Sequence, residues 1–214
     1  MRSSLETTQT SPRLPIDIDT VKGFMDPAEG RALYDAALAC ARRGPCLEIG
    51  AYCGKSAVYL GAACQAAGGV LFSVDHHRGS EENQPGWDYH DAELWDEAAG
   101  AMDTLPFLRT TLRLAGLEDV VFPVVGRSAL IARVWATPLS LVFIDGGHTL
   151  EAALADYRGW TPHLMAGGTL AIHDVFPDPA DGGRPPFEIY RRAMASDLYE
   201  EFAAVKSLRL LRKL

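Results

Sequence analysis

The sequence predicts an α/β protein built on a doubly wound, mostly parallel sheet. Apolar runs of strand length alternate with helical patterns from residue 46 onward. The strand runs are continuously apolar, as expected of strands that helices cover on both faces. Such an alternation of strands and helices is typical of a doubly wound sheet. The chain has 214 residues, enough for one sizeable core, so we expect a single domain.

The N-terminal residues, the lack of long apolar runs and the net charge narrow the class of protein. Residues 1–15 are rich in Ser, Thr and Pro and lack an apolar stretch, which predicts a disordered lead-in and no secretory signal. The domain is then expected at residues 16–214. No apolar run approaches a membrane span. The net charge of −8 and the pI of about 5.2 argue against a nucleic-acid partner, which normally meets a basic face.

The cysteines indicate a reducing compartment. No pair has the C-x-x-C spacing of a zinc site, and each residue lies among small or apolar neighbours. We therefore expect reduced, buried thiols in a cytoplasmic protein. The four residues are Cys40, Cys46, Cys53 and Cys64.

The elements follow from caps, breakers and apolar spacing. The Asp26-Pro27 pair suits an N-cap and a first helical residue, and helical spacing continues to Arg42. Further helices are predicted at residues 55–67, 104–115, 128–135, 149–165 and 186–196, with Pro162 as a candidate early end. Apolar runs predict strands at residues 46–49, 70–74, 120–125, 139–144, 169–173, 202–205 and 208–214.

Residues 76–100, the long loop, exceed the ordinary length of a strand-to-helix connection. The long loop carries Trp87, Tyr89 and Trp95 beside seven carboxylates. Two interpretations stay open. The segment is a lid or substrate wall, which the tryptophans favour, or it is a solvated loop with a short helix near residues 91–99.

The stretch EIGAYCGKS at residues 48–56 resembles a phosphate loop only at its end. A phosphate loop has four residues before its G-K-[ST] triplet, whereas three residues separate Gly50 from Gly54. Ile49 stands where the first glycine belongs and does not readily adopt a positive φ. Glu48 would also repel phosphates. The pattern E-x-G-x-x-x-G-x-S instead predicts an acidic strand end, a tight glycine turn and a helix start.

Polar residues follow each predicted strand, where a doubly wound sheet binds its ligand. The strand ends carry Glu48, Asp75, Gly126, Asp145 and Asp174. Five of the six histidines are expected on the same face, namely His76, His77, His90, His148 and His173. This grouping of carboxylates and imidazoles suits a divalent cation as well as proton transfer.

Five segments in order resemble the class I S-adenosylmethionine-dependent methyltransferases: EIGAYCGKS, VDHHRGS, VVGRS, FIDGGHTLEAALADY and AGGTLAIHDV. The resemblance covers roughly residues 20–214 and is closest to small-molecule O-methyltransferases, with a layout similar to the catechol type. It implies a Rossmann-like sheet of seven strands with an antiparallel strand near the C-terminus. It also implies methyl transfer from S-adenosylmethionine to a small-molecule hydroxyl.

The resemblance implies a cofactor site. Gly50 and Gly54 would let the backbone approach the methionine part, and Ser56 with the helix N-terminus would meet its carboxylate. Asp75 would bind the ribose hydroxyls, with capping of the next segment as the alternative. Residues 126–128 would form the turn that contacts adenine. The expected cofactor-binding residues are Glu48, Gly50, Tyr52, Gly54, Ser56, Asp75, His76, Gly126, Arg127, Ser128 and Asp145.

The resemblance also implies a metal site. Asp145, His173 and Asp174 match the positions that hold magnesium in catechol-type relatives. His173 departs from the all-oxygen pattern, and an imidazole favours manganese, iron or zinc. Alternatively, the two acids line the pocket and His173 is a general base. The expected catalytic residues are Asp145, His148 and His173.

Several functions remain open from the sequence. A metal-independent O- or N-methyltransferase with a histidine base keeps the cofactor. A non-catalytic nucleotide-binding module is a candidate from another class. RNA methylation is disfavoured by the acidic charge, and no membrane partner is expected. The acceptor and the oligomeric state stay undetermined, with a homodimer among the options.

Overall fold

A seven-stranded sheet forms the centre of the protein, whose computed structural model describes residues 14–87, 89–147 and 149–214. The strands are β1 (Cys46–Ile49), β2 (Leu71–Asp75), β3 (Val121–Val125), β4 (Leu139–Ile144), β5 (Leu164–Ile172), β6 (Tyr199–Val205) and β7 (Leu208–Lys213). Their spatial order is β3-β2-β1-β4-β5-β7-β6. The first five are parallel, and β7 is antiparallel to β5 and β6. The predicted fold class is confirmed.

Helices cover both faces of the sheet. They are α1 (Pro27–Cys40), α2 (Lys55–Ala67), α3 (Leu105–Ala115), α4 (Ser128–Ala132), α5 (Leu150–Trp160) and α6 (Pro185–Met194). The first three helices share one hydrophobic cluster with Leu141 and Phe143 of β4. The last three share another with Val142 and Ile144. Successive β4 side chains thus enter opposite cores, which explains the continuous apolar strand runs.

Local signals set most helix ends. The Asp26 carboxylate caps α1 by accepting a hydrogen bond of 2.8 Å from the Ala28 amide, as predicted. The helix predicted at 149–165 ends early at Trp160, which confirms Pro162 as the candidate early end. A 3-10 turn at Thr161–His163 follows, because Pro162 cannot continue an α-helix. As a result, β5 begins at Leu164, earlier than predicted.

The long loop is anchored by short elements. It contains 3-10 turns at Glu81–Asn83 and Ala92–Leu94, and Trp95–Asp96 pairs antiparallel with Ala101–Met102. The short helix predicted near 91–99 is therefore wrong, apart from that 3-10 turn. Leu94 and Met102 are buried together with Cys53. This small cluster fixes the far end of the loop.

All four cysteines are free and buried, as predicted. Within the described residues, no helix is both long and apolar enough to cross a membrane. Residues 1–13 of the predicted lead-in lie outside the described residues. Leu14, which follows them, packs against the first hydrophobic cluster.

Candidate active site

A cavity of about 780 Å³ opens at the carboxyl ends of β1 to β5. Its volume suits a small-molecule site. Most of the predicted site residues line it: Gly50, Tyr52, Ser56, Asp75, His76, Gly126, Arg127, Ser128, Asp145, His173 and Asp174. Glu48 and Gly54 lie beneath it, outside the described lining. His148 lies outside the described residues.

Two glycines shape the loop between β1 and α2. Gly50 has φ +91° and Gly54 has φ +96°, in the left-handed region that favours glycine. A Cβ at Gly50 would lie 2.0 Å from the carbonyl oxygen of Asp145, and one at Gly54 would lie 2.8 Å from a methyl of Leu108. Both glycines thus allow close packing within the protein. Gly50 in particular brings the loop after β1 against the loop after β4.

The N-terminus of α2 faces the cavity without a side-chain cap. Gly54 is its N-cap residue, so no side chain accepts hydrogen bonds from the first helical amides. Lys55 and Ser56, the first two helical residues, line the cavity. A carboxylate bound there would meet free N–H groups and the positive end of the helix dipole.

Glu48 is a buried acid under this loop. Its side chain accepts hydrogen bonds from the Ser56 hydroxyl at 2.7 Å and the Ser73 hydroxyl at 2.6 Å. Burial raises the pKa of Glu48 to about 7, opposed by the two hydroxyls and reinforced by nearby acids. Glu48 thus holds the start of α2, next to the loop between β1 and α2, through Ser56.

Asp75 holds the loop between β1 and α2 in place through hydrogen bonds. One carboxylate oxygen accepts hydrogen bonds from the amides of Ala51 and Tyr52, both at 2.9 Å. The other accepts from the His77 amide at 2.8 Å, which is the capping role given as the alternative. Asp75 also borders the cavity. A carboxylate accepts about four hydrogen bonds, so capping leaves capacity for a ligand.

The other histidines of this region differ in role. His76 lines the cavity, whereas His77 is buried and its Nδ1 lies 2.7 Å from the Thr104 hydroxyl. Burial lowers the pKa of His77. His90 lies within the long loop, where its Nδ1 contacts the Asn83 carbonyl at 3.0 Å. His77 and His90 therefore have structural partners.

His173 sits at the centre of a group of carboxylates. Its Nδ1 is 3.0 Å from Asp145 and 3.5 Å from Asp174, and its Nε2 is 3.0 Å from Glu29. The imidazole is buried, while the two aspartates are partly accessible from the cavity. The sequence placed Asp145, His173 and Asp174 together correctly.

Glu29 was not predicted. It lies in the first turn of α1, where an acid usually interacts with the helix dipole in solvent. Here it is buried, and its second oxygen accepts from the Ser207 amide and hydroxyl at 2.8 Å and from the Leu208 amide at 3.2 Å. The donors to Glu29 come from the β6–β7 turn, which is far away in the sequence. No local sequence pattern therefore reveals that Glu29 is buried.

These contacts decide the charge of His173. Burial by itself would lower the pKa of His173, but Asp145, Asp174 and Glu29 raise it well above its ordinary value. The ring is then an imidazolium that donates from both nitrogens. An imidazolium has no lone pair, so His173 must lose its Nδ1 proton before that nitrogen can accept a proton or bind a metal ion. The carboxylates of Glu29, Asp145 and Asp174 thus surround one positive charge, which is that of the His173 ring.

At the mouth of the cavity, the segment before α1 contacts the long loop. Lys22 pairs with Asp91 at 2.5 Å and with Glu93 at 2.7 Å. The Phe24 ring lies 5.4 Å from Tyr89 and 5.7 Å from Tyr52. Phe24 is 65% exposed and Tyr89 is 52% exposed, so these rings present apolar surface at the opening. A wall from the long loop was one of its two predicted roles, whereas the contribution of residues 22–25 was not predicted.

Comparison with known proteins assigns the fold. Residues 47–175 match the family described as "Methyltransferase domain". Similar solved structures include the methyltransferase PaMTH1 of Podospora anserina bound to SAH (TM-score 0.64, 13% identity, 89% of this chain and 80% of that one). The O-methyltransferase TomG of Streptomyces achromogenes, in complex with SAM, is also similar (0.57, 17%, 89% and 81%). So is cofactor-bound Rv0187 from MTB (0.60, 18%, 91% and 84%).

Proposed function

The chain belongs to the methyltransferase-domain family and is a class I S-adenosylmethionine-dependent methyltransferase, and we propose that it methylates a hydroxyl of a small molecule with the help of a divalent metal ion. The observation that carries this proposal is the group formed by Asp145, His173 and Asp174 directly beside the glycine loop. The sulfonium of the cofactor supplies an electrophilic methyl, and the metal would lower the pKa of the acceptor hydroxyl.

The residues around the cavity support S-adenosylmethionine as the cofactor. The uncapped amides at the start of α2 suit the carboxylate of its methionine part. Asp75 already accepts three hydrogen bonds and has acceptor capacity left for one ribose hydroxyl. The loop after β3 offers Gly126, Arg127 and Ser128 to the base. SAH in PaMTH1 and SAM in TomG support this choice of cofactor.

The metal ligands would be Asp145, His173 and Asp174. Their ligand atoms all lie within 4.8 Å of one another, and two carboxylates with an imidazole form a donor set that suits a divalent ion. Glu29 supports this assignment, because a metal-bound histidine usually donates its other N–H to a carboxylate. The imidazole favours manganese, iron or zinc over magnesium.

The protein contributes to the reaction mainly by placing its reactants. Binding the acceptor beside the cofactor converts an encounter of two molecules into a reaction within one complex. Phe24 and Tyr89 at the mouth would cover the acceptor and exclude water. Asp145 and Asp174 would orient its hydroxyl, and His173 stays fixed by Glu29.

A metal-independent enzyme with a histidine base is the alternative. It requires His173 to lose a proton, as metal binding at Nδ1 also does, so the protonated ring favours neither mechanism over the other. His148 remains a proposed base or further ligand. No observation on the described residues favours an amine acceptor.

Calorimetry tests the cofactor and the metal separately. The protein should bind SAH at micromolar strength and should bind neither ATP nor NAD tightly. Manganese or zinc should bind the chelator-treated protein, and Asp174→Ala should remove the metal while leaving SAH binding largely intact. Tight ATP or NAD binding without SAH binding would contradict the cofactor. Equal metal binding by the wild type and Asp174→Ala would contradict the metal site.

A further inference from the structure

Asp156 is a buried carboxylate that the proposed reaction does not use. It lies on α5, is 6% exposed and lines the cavity. Its Oδ2 is 2.8 Å from the point where a Cβ on Gly146 would stand, so it reaches under the loop after β4. Burial raises the pKa of Asp156 to about 6, and a hydrogen bond from Ser128 offsets part of this rise. A buried carboxylate needs hydrogen-bond donors.

A short chain of hydrogen bonds leads to Asp156. The indole Nε1 of Trp160 donates to the Ser128 hydroxyl oxygen at 2.7 Å. Indole is a donor only, so the Ser128 hydroxyl accepts there and keeps its own proton to donate. The Ser128 hydroxyl donates this hydrogen bond to the Asp156 carboxylate, which lowers the pKa of Asp156. The chain therefore ends, at the cavity, on a carboxylate with remaining acceptor capacity.

The position of Asp156 matches one part of the cofactor, and this step rests on the proposed cofactor site. The ribose stands between the methionine part and the base. With the methionine part at the start of α2 and the ribose at Asp75, the base extends toward Ser128. Ser128 and Asp156 both line the cavity, and Trp160, one turn after Asp156 on α5, donates to Ser128. The adenine base carries an exocyclic amine, which is a hydrogen-bond donor.

We propose that Asp156 accepts a hydrogen bond from the exocyclic amine of adenine and so selects an amino purine over an oxo purine. Hypoxanthine has a carbonyl oxygen at the same position. Two acceptors would then face each other, and a site built to hydrogen-bond one partner strongly rejects an analogue that lacks the donor. Ser128 positions the carboxylate and occupies part of its acceptor capacity.

Replacement by asparagine should change this preference. The Ser128 hydroxyl still needs an acceptor, so the amide oxygen of Asn should turn toward it. The amide NH₂ then faces the base as a donor. This donor can hydrogen-bond to the carbonyl oxygen of hypoxanthine. Toward adenine it would face the exocyclic amine, which is also a donor. Asp156→Asn should therefore weaken binding of the adenine nucleoside and strengthen binding of the inosine one.

The test compares S-adenosyl-L-homocysteine with S-inosyl-L-homocysteine by calorimetry. We expect the wild type to prefer the adenosyl compound by at least about tenfold, and Asp156→Asn to abolish or reverse that ratio. Asp119→Asn, an exposed acid outside the cavity lining, is the matched control and should keep the wild-type ratio.

Several outcomes would overturn the assignment. An Asp156→Asn protein with the wild-type ratio would show that the carboxylate does not contact the amine. Should that variant fail to fold, equal binding of both compounds by the wild type would overturn the assignment alone. A wild type that binds neither compound would overturn the proposed cofactor site as well, which separates the two failures.

Discussion

Glu29→Gln should cost the protein its metal while sparing its cofactor. The Oε1 atom of Glu29 accepts from three donors, namely the Ser207 amide, the Ser207 hydroxyl and the Leu208 amide. The amide oxygen of Gln must take that place, because an NH₂ group there would face three donors. The NH₂ group then points at Nε2 of His173, 3.0 Å away in the wild type. Nε2 then becomes an acceptor and loses its proton, so the ring keeps its proton on Nδ1.

A proton on Nδ1 faces Asp145 and Asp174 and occupies the proposed ligand position. Loss of such a supporting partner typically reduces metal affinity by about 10- to 100-fold. This corresponds to about 1.4–2.8 kcal/mol of binding free energy. The side chain of Gln has almost the same volume, so the packing of α1 against the β6–β7 turn should survive.

Titration calorimetry with manganese and zinc measures this effect, and a parallel SAH titration reports folding of the cavity. Glu200→Gln, an exposed acid on β6, is the control for removing one negative charge. It should retain wild-type affinity for both ligands. Wild-type metal affinity in Glu29→Gln, with normal SAH binding, would refute the role given to Glu29.

Three further predictions follow from the burial, backbone and surface contacts of the cavity. Because the folded pKa of Glu48 is raised from 4.5 to about 7, its contribution to the free energy of unfolding is complete below pH 4.5 and falls by about 3 kcal/mol as pH rises through 7. Glu48→Gln should lose this dependence in denaturation series, and a slope equal to that of the wild type would contradict the pKa. Gly50→Ala should destabilise the fold by about 1–3 kcal/mol more than Gly68→Ala, since both sites have positive φ but only Gly50 has a neighbour within 4 Å. Equal losses in chemical denaturation would show that the contact is unimportant. Lys22→Met should increase proteolysis of the long loop in the presence of SAH, and unchanged cleavage would contradict its anchoring role.

The fold was predictable because its signals are local. The Asp26 cap, the glycines around α2 and the apolar runs each specify an element without reference to distant residues. The end of α5 stayed open between two positions because the helical pattern of apolar residues continues to residue 165, whereas Pro162 indicates an earlier end. The structure shows that the proline decides this boundary.

Outside the glycine loop and the start of α2, the site was predictable where a residue follows a strand. Parallel strands bring their carboxyl ends to one edge, which is why Asp75, Asp145 and Asp174 were expected together. Glu29 and Asp156 lie on helices and become neighbours of the site through tertiary packing. In the sequence, each looks like an ordinary acid on an amphipathic helix. Their burial, 3% and 6% exposed, is a property of the folded protein alone.

Anomalous scattering from crystals grown with SAH and manganese distinguishes metal-assisted transfer from transfer by a base alone. We expect SAH between the glycine loop and the loop after β3. We also expect a manganese peak in contact with Asp145, His173 and Asp174. Clear density for SAH without an anomalous peak at these three residues would contradict a metal-assisted reaction and favour a base in the same cavity.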